Sequence, residues 1–395
     1  MENRVMIIGA GASGLMAAVT AARLGAKVTV LEGNDRPGRK LLASGNGKCN
    51  LTNLMQDPQC WHSDDPAFVD EIIGGFSADS VVAFFTSLGL LVMNRDGWVY
   101  PVTEQSQSVL NLLLMEAEHL GVRIKTREHV NQILPEPDTV FSVRTGSWTY
   151  QADRVIVACG SPASTVRGSS GDAGAIAGSL GIQTAPFLPS LVPLRVRGDF
   201  CGKWAGVRVH ASVRLLVDGK IAAADTGTVQ LTDYGISGIP VLQVSHFASA
   251  ALEEKHDVCA LLDLYPDGSR EELLSVLSMR QKLCPYKSAR QLLSGLIPEQ
   301  LIPVLCGKND TDLAVIAEKL KNFRLSVTGC AGLSHAQVCS GGILTSELNL
   351  CMESTRYPGL FFAGEAVNVD GACGGYNLQW AWSSGYTAGK YAAGK

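Results

Sequence analysis

The chain has 395 residues, with 46 % hydrophobic and 18 % charged side chains, a balance that excludes a disordered chain and leaves room for two or three domains. Its 33 basic and 37 acidic side chains give a net charge of −4, with no basic stripe of the kind that neutralises a phosphate backbone, so no nucleic-acid partner is expected. Eleven cysteines are scattered without a C-x-x-C pair, which argues against a metal site or a redox dithiol and suits a reducing, cytoplasmic setting.

Residues 4–8 (Arg-Val-Met-Ile-Ile) predict a buried strand, 13–25 a helix of small residues and 27–31 a second strand, a parallel pair with a helical crossover. Glycines at 9, 11 and 14 and the strand-like run that follows argue against a leader peptide. No other apolar run approaches the ~20 residues of a membrane span. Residues 33–63 lack periodicity and are rich in Gly, Asn, Lys and Ser, a pattern typical of functional loops. Helices are predicted over 66–90, 105–120 and 172–180. Strands are predicted at 122–126 and 154–158, the latter closing a hairpin-like stretch that begins at 139. A proline-punctuated boundary at 186–193 precedes alternating residues 194–231, where Val207, Val209, Ala211, Val213 and Leu215 share one face and Asp218-Gly219 makes a turn. Residues 245–322 read as mostly helical, 324–348 return to strands, and the chain closes with a strand at 360–363 and a helix over 377–393.

Four motifs carry chemistry. Gly9-Ala10-Gly11-Ala12-Ser13-Gly14 lies between a strand and a helix, as the dinucleotide fingerprint requires: a tight turn, a close approach to pyrophosphate, and close helix packing. Glu32 ends the second strand, where a carboxylate accepts from ribose hydroxyls, and Gly33 follows it. At the far end of the chain, Leu360–Glu365 reads as a strand delivering Gly364 and Glu365. This pattern resembles the C-terminal flavin motif of FAD enzymes, in which a carboxylate holds a ribityl hydroxyl. Third, Asp370–Gln379 precedes the last helix. Gly374 and Gly375 permit close backbone approach, and N–H groups at Asn377 and Leu378 would favour an anionic reduced flavin. The fourth motif runs from Pro37 to Asn53. Here Arg39 and Lys40 could neutralise a pyrophosphate, Gly45 and Gly47 allow a tightly folded loop against a ring system, Leu41, Ser44, Asn46, Cys49 and Asn50 are candidate cofactor contacts, and Lys48 is a candidate to polarise a carbonyl.

Together these residues resemble the YhiN/BaiN-type flavoproteins, often filed as the aminoacetone-oxidase family. The resemblance rests on Gly9–Gly14, Ser44–Asn53, Gly97–Pro101, Gly168–Asp172, Pro189–Leu194, Thr232–Gly238 and Gly364–Gly385. Two stretches depart from the pattern: Ala158-Cys159-Gly160-Ser161 at a strand end, and Gln337-Val-Cys-Ser before Gly341. The resemblance implies a glutathione-reductase-like FAD-binding Rossmann domain, of α/β class, with an inserted antiparallel β-barrel and a helical subdomain. The expected boundaries are 1–190 with 330–395 for the FAD domain, 191–245 for the barrel (closing with strands from 324–335) and 246–323 for the helices. The candidate cofactor contacts also include Ala12, Ser13, Val130, Gly160 and Asp370.

The implied chemistry is an FAD-dependent oxidoreductase with non-covalent FAD, reducing an activated C=C of a small molecule with NADH or NADPH as a transient donor. The alternatives are an O2-dependent oxidase of small amines and, lower, an FAD-binding RNA-associated or structural protein. Tyr234, in the ligand-like Thr232–Gly238 loop, is the candidate acid. His335, His246 and a redox-active thiol rank below it, and Trp380 and Trp382 read as core. The oligomeric state is open at this level.

Overall fold

The computed structural model describes residues 3–137, 140–164, 169–307 and 310–395. Gly168, one of the residues in the family resemblance, lies outside them. The chain divides into two compact units, Met1–Leu188 with Val338–Lys395, and Pro189–Gln337.

The first unit is built on a five-stranded sheet in the order Leu360–Phe362, Arg154–Val157, Arg4–Ile8, Lys27–Glu32, Arg123–Thr126. All four pairings are parallel. Strands buried on both faces read as continuous apolar runs rather than alternations, as Val5–Ile8 and Val155–Val157 do. The register is what matters for function. Ile8 pairs with Val157 and Leu31, and Val157 pairs with Phe362. Four strands therefore end level with one another. The loops after them, starting at Gly9, Gly33, Ala158 and Ala363, emerge along one carboxyl edge, where open α/β sheets bind ligands.

The first helix, Ala12–Arg23, has Ala, Ser or Gly at seven of its twelve positions, and the last helix, Tyr376–Ala392, lies against it at backbone distance. A Cβ on Gly385 would overlap the Ser13 carbonyl oxygen, and one on Gly389 the Ala17 carbonyl oxygen. Both contacts advance by four residues in the same sense, so the helices run parallel. The last helix consequently extends past the N-terminus of the first by about eight residues, about 12 Å.

Several elements of this unit differ from the sequence reading, among them short two-stranded ladders of Trp61–Ser63 with Val369–Gly371 and of Thr184–Ser190 with Val338–Ile343. The helix expected over 66–90 is two helices, Pro66–Gly75 and Ala78–Ser87, each opened by a side-chain cap (Asp65 and Ser77). A strand at Val130–Pro135 joins the expected hairpin to make a three-stranded sheet with Phe141–Thr145 and Thr149–Ala152. A second small sheet pairs Thr52–Asn53, Trp98–Pro101 and Val92–Arg95.

The second unit is a closed antiparallel six-stranded barrel: Leu194–Val196, Gly235–Ser237, Lys220–Thr232, Arg208–Val217, Val258–Asp263 and Phe323–Cys330. Val207, Val209, Ala211, Val213 and Leu215 are buried, as their alternation predicts. The Val258–Asp263 strand falls inside the stretch expected to be helical. The same stretch does hold helices at Ile239–Glu253, Arg270–Leu283 and Leu313–Lys321, but the barrel closes through it, so barrel and helices share one hydrophobic core.

The close helix pair gives a stability test. Gly385→Val should lower the unfolding free energy by roughly 1–3 kcal/mol or more, because backbone rather than a flexible side chain meets the added atoms. A thermal midpoint unchanged from wild type would contradict this packing.

Candidate functional site

The Gly9–Gly14 turn is built as its spacing predicts. Gly9 has φ 101°, and a Cβ there would stand 2.5 Å from the Ala158 carbonyl oxygen, while one on Gly14 would overlap the Gly9 carbonyl oxygen. Gly11 differs from both: a Cβ on it meets nothing within 4 Å. The first and third glycines serve packing, and the second faces open space beside the helix N-terminus. The N–H groups of Ala12, Ser13 and Gly14 have no acceptor four residues earlier within the helix, and they carry its partial positive charge.

Glu32 is only 7 % exposed. One of its oxygens accepts from the Ala10 N–H at 2.8 Å and the other from the Asn34 N–H and side-chain amide at 2.8 and 2.7 Å. Its carboxylate thus fixes the glycine turn, and one lone pair of the oxygen facing Ala10 stays open to a further donor. Gly33 follows it in the chain. Val130 is buried, and a Cβ on Gly33 would press on His129 at 3.2 Å.

Lys40 and Glu365 come from opposite ends of the chain and meet at 2.6 Å. Lys40 also donates to the Ala163 carbonyl at 2.7 Å, and Ser161 donates to the same Glu365 oxygen at 2.6 Å. Lys40 is thus tied to a carboxylate, and the pair holds the loops after two neighbouring strands together. Arg39 pairs with Asp35 at 2.5 Å. Gly160, with φ 75° and nothing within 4 Å of an added Cβ, leaves its loop open to a ligand.

The Ser44–Asn53 loop is strained by design. Gly45, Asn46, Gly47 and Cys49 all have positive φ, two of them not glycine. The loop presents Asn50, 7 % exposed, whose side-chain nitrogen and oxygen have no hydrogen-bond partner. A buried amide left unpaired costs ~1–3 kcal/mol per group unless something else satisfies it. The Asn50 oxygen lies 2.9 Å from where a Cβ on Gly375 would be. Gly375, φ 97°, opens the last helix, and the N–H groups of Tyr376, Asn377 and Leu378 come free just beyond it. The Asn377 side chain is engaged locally. It accepts from the Gly371 N–H at 2.9 Å and donates to the Gly371 carbonyl at 2.7 Å, shaping the turn and leaving its backbone N–H for a ligand. Asp370 is buried and sits opposite His62 in a two-stranded ladder.

Lys48 lies at the rim. It pairs with Glu104 at 3.2 Å, and Arg95 pairs with the same oxygen at 2.7 Å. Lys48 and Arg95 hold the Glu104 carboxyl below the usual carboxylate range. Tyr234 belongs to the second unit, in the turn before Gly235–Ser237, with the Arg195 guanidinium 5.4 Å from its ring centre.

The tryptophans of the last helix do more than fill core. Trp380 Nε1 donates to the Gly364 carbonyl at 3.0 Å, and Trp382 Nε1 donates to the Leu51 carbonyl at 2.9 Å. Ser384 Oγ accepts from the Gly364 N–H at 2.9 Å, and Gln379 receives the Thr52 hydroxyl. One helix thereby fixes both the Gly364 loop and the Ser44–Asn53 loop. The signal was present in the sequence as a helix unusually rich in Trp, Gln and Ser for a buried element.

No helix among the described residues is long and apolar enough to cross a membrane. Of the cysteines at the carboxyl edge, Cys49, Cys159 and Cys339 are not poised for redox chemistry. Burial pushes the Cys49 and Cys159 thiols up to about 12 and Cys339 to about 11, the Asp172 carboxylate adding to the shift at Cys159.

A Rossmann sheet with donor-bearing turns at both ends of the chain defines a dinucleotide-binding protein. The chain belongs to the HI0933-like Rossmann family, whose model matches residues 3–391, and this is the YhiN/BaiN-type flavoprotein family that its motifs resemble. It is 39 % identical to a 3-dehydro-bile acid delta(4,6)-reductase of Clostridium scindens, over 99 % of both chains. It is 29 % identical to a ribosomal RNA dihydrouridine synthase of Haemophilus influenzae, over 96 % of both. Among solved structures, a 3-ketosteroid delta1-dehydrogenase from Sterolibacterium denitrificans shares the fold at a TM-score of 0.52 and 11 % identity, over 99 % of both chains.

At pH 8 the thiolate fraction of Cys49, Cys159 and Cys339 should be about one in a thousand or less. Iodoacetamide followed by peptide mass mapping should leave all three unmodified in the native protein and alkylate them once it is denatured. Rapid native alkylation of any one would contradict the assignment.

Proposed function

We propose that the carboxyl edge of the first unit binds FAD non-covalently and that the protein is an FAD-dependent reductase of a C=C bond conjugated to a carbonyl, with NADH or NADPH as electron donor. The observation that carries the reading is Asn50, a buried amide without a partner, beside the donor-bearing start of the last helix. A flavin pyrimidine edge alternates acceptors with an N–H donor, and an amide can match both.

The remaining geometry fits the same ligand. The open faces at Gly11 and Gly160 and the N–H groups of Ala12 to Gly14 suit a pyrophosphate. Glu32 suits the adenosine ribose, and Glu365 a ribityl hydroxyl. The offset of about 12 Å between the two helix starts leaves room for a ribityl chain and part of a ring system. The bound flavin would supply hydride chemistry. The chain's own residues orient the ring, place partial positive charge at its pyrimidine edge and keep buried thiols out of the redox path.

Relatives support the reaction class. Saturating the double bonds of a 3-dehydro-bile acid and forming dihydrouridine from uridine both remove unsaturation conjugated to a carbonyl, and those are the activities for which the two relatives are named. The small-molecule case is favoured here because a net charge of −4 opposes ribosomal RNA.

Two results are expected. Anaerobic addition of NADH or NADPH to the flavin-loaded protein bleaches the 450 nm band, and the faster donor is the physiological one. A band that stays oxidised with both overturns the reductase reading in favour of the amine oxidase. Asn50→Ala should weaken FAD binding roughly tenfold, the worth of one or two hydrogen bonds, as read by flavin fluorescence. Unchanged affinity would remove Asn50 from the site.

A further inference from the structure

The Gly97–Pro101 stretch is unaccounted for by cofactor binding, and a shallow, open depression lies on it. The hairpin Val92–Pro101 turns at Asp96-Gly97, both with positive φ, and a Cβ on Gly97 would press on Met55 and Asn53. Arg95 pairs with Trp98 and Met93 with Tyr100, so Arg95, Trp98 and Tyr100 share one face while Val99 is buried on the other. Arg95, Asp96, Trp98 and Tyr100 line a space of about 250 Å³. That is slightly below the range for a whole drug-sized ligand, so it suits one end of a larger molecule.

Three observations give this space its chemistry. The Trp98 indole lies 3.1 Å from where a Cβ on Gly374 would be, and Gly375 adjoins the unpartnered Asn50. The space is therefore next to the proposed flavin ring position. Arg95 is held by Glu104 and sits 5.9 Å from the Tyr100 ring centre, which limits the freedom of that ring. Among the described residues the Tyr100 hydroxyl has no hydrogen-bond partner, and burial together with nearby Cys373 keeps it protonated well above neutral pH. A protonated, half-exposed phenol beside an indole face can donate to a carbonyl on a flat ring.

Resting on the proposed reductase reading, the geometry points to a substrate subsite in which Tyr100 donates a hydrogen bond to the carbonyl of a flat cyclic enone, whose ring lies against Trp98. This assigns to Tyr100 the carbonyl contact for which the sequence offered Lys48; the sequence offered Tyr234 as the acid.

The test uses the oxidised, flavin-loaded protein without any electron donor. Binding of testosterone, a 4-ene-3-ketone, and of its 3-deoxy analogue is measured by equilibrium dialysis for wild type, Tyr100→Phe and Tyr234→Phe, each checked for wild-type flavin content. Tyr100→Phe should weaken testosterone binding about tenfold and leave the 3-deoxy analogue unchanged, whereas Tyr234→Phe changes neither. Equal loss for both ligands, no loss in Tyr100→Phe, a selective loss in Tyr234→Phe instead, or no binding of testosterone to wild type overturns the subsite. Flavin bleaching by a nicotinamide alongside any of these leaves the reductase reading standing and removes only the subsite. Tyr100-dependent binding without bleaching by either donor does the reverse.

Discussion

Everything at the carboxyl edge depends on two helices touching at backbone distance. Gly385 and Gly389 let the last helix lie directly on Ser13 and Ala17 of the first. A larger residue at either place would push the helices apart by more than a side-chain rotation could absorb. Because the helices run parallel and offset, their N-termini face the same edge at two different depths. The chain's first and last motifs, more than 350 residues apart, thus come to lie at the starts of two packed helices. The last helix then reaches outward through Trp380, Trp382, Ser384 and Gln379 to fix the loops on either side.

This arrangement separates rigidity from reactivity. The carboxylates and cations that the sequence offers to a ligand are engaged within the protein: Glu32 with the glycine turn, and Lys40 with Glu365. Such pairs hold loops in place without needing a ligand. The groups left unmatched are few and specific. Among the described residues they include backbone N–H groups at two helix starts and the Asn50 amide. Preorganised donors of this kind act on charge that develops during a reaction, and the cost of orienting them is met in folding.

Much of this was legible in the sequence wherever the signal is local. The strand–glycine turn–helix unit, Glu32, the final strand and the alternating barrel residues all follow from spacing that a single segment contains. What was not legible depends on partners far along the chain. Nothing near Lys40 announces Glu365, and nothing near Leu51 announces Trp382. The Val258–Asp263 strand was hidden because its apolar run, Val-Cys-Ala-Leu-Leu, fits a buried helix as well as a barrel strand, and only closure of the barrel decides between them. Tyr100 was not singled out because nothing in its own strand, Trp98–Pro101, marks it for a ligand. Its meaning comes from Gly374, which folding brings beside Trp98.

The central claim is that both ends of the chain form one FAD site spanning the offset between the two helices. The most direct test is a crystal structure of the protein loaded with FAD. The account predicts pyrophosphate at the N–H groups of Ala12 to Gly14, and the flavin pyrimidine edge within hydrogen-bond distance of Asn50 and the Asn377 or Leu378 N–H. A flavin bound elsewhere, or one whose ring points away from Asn50 and the start of the last helix, would contradict it.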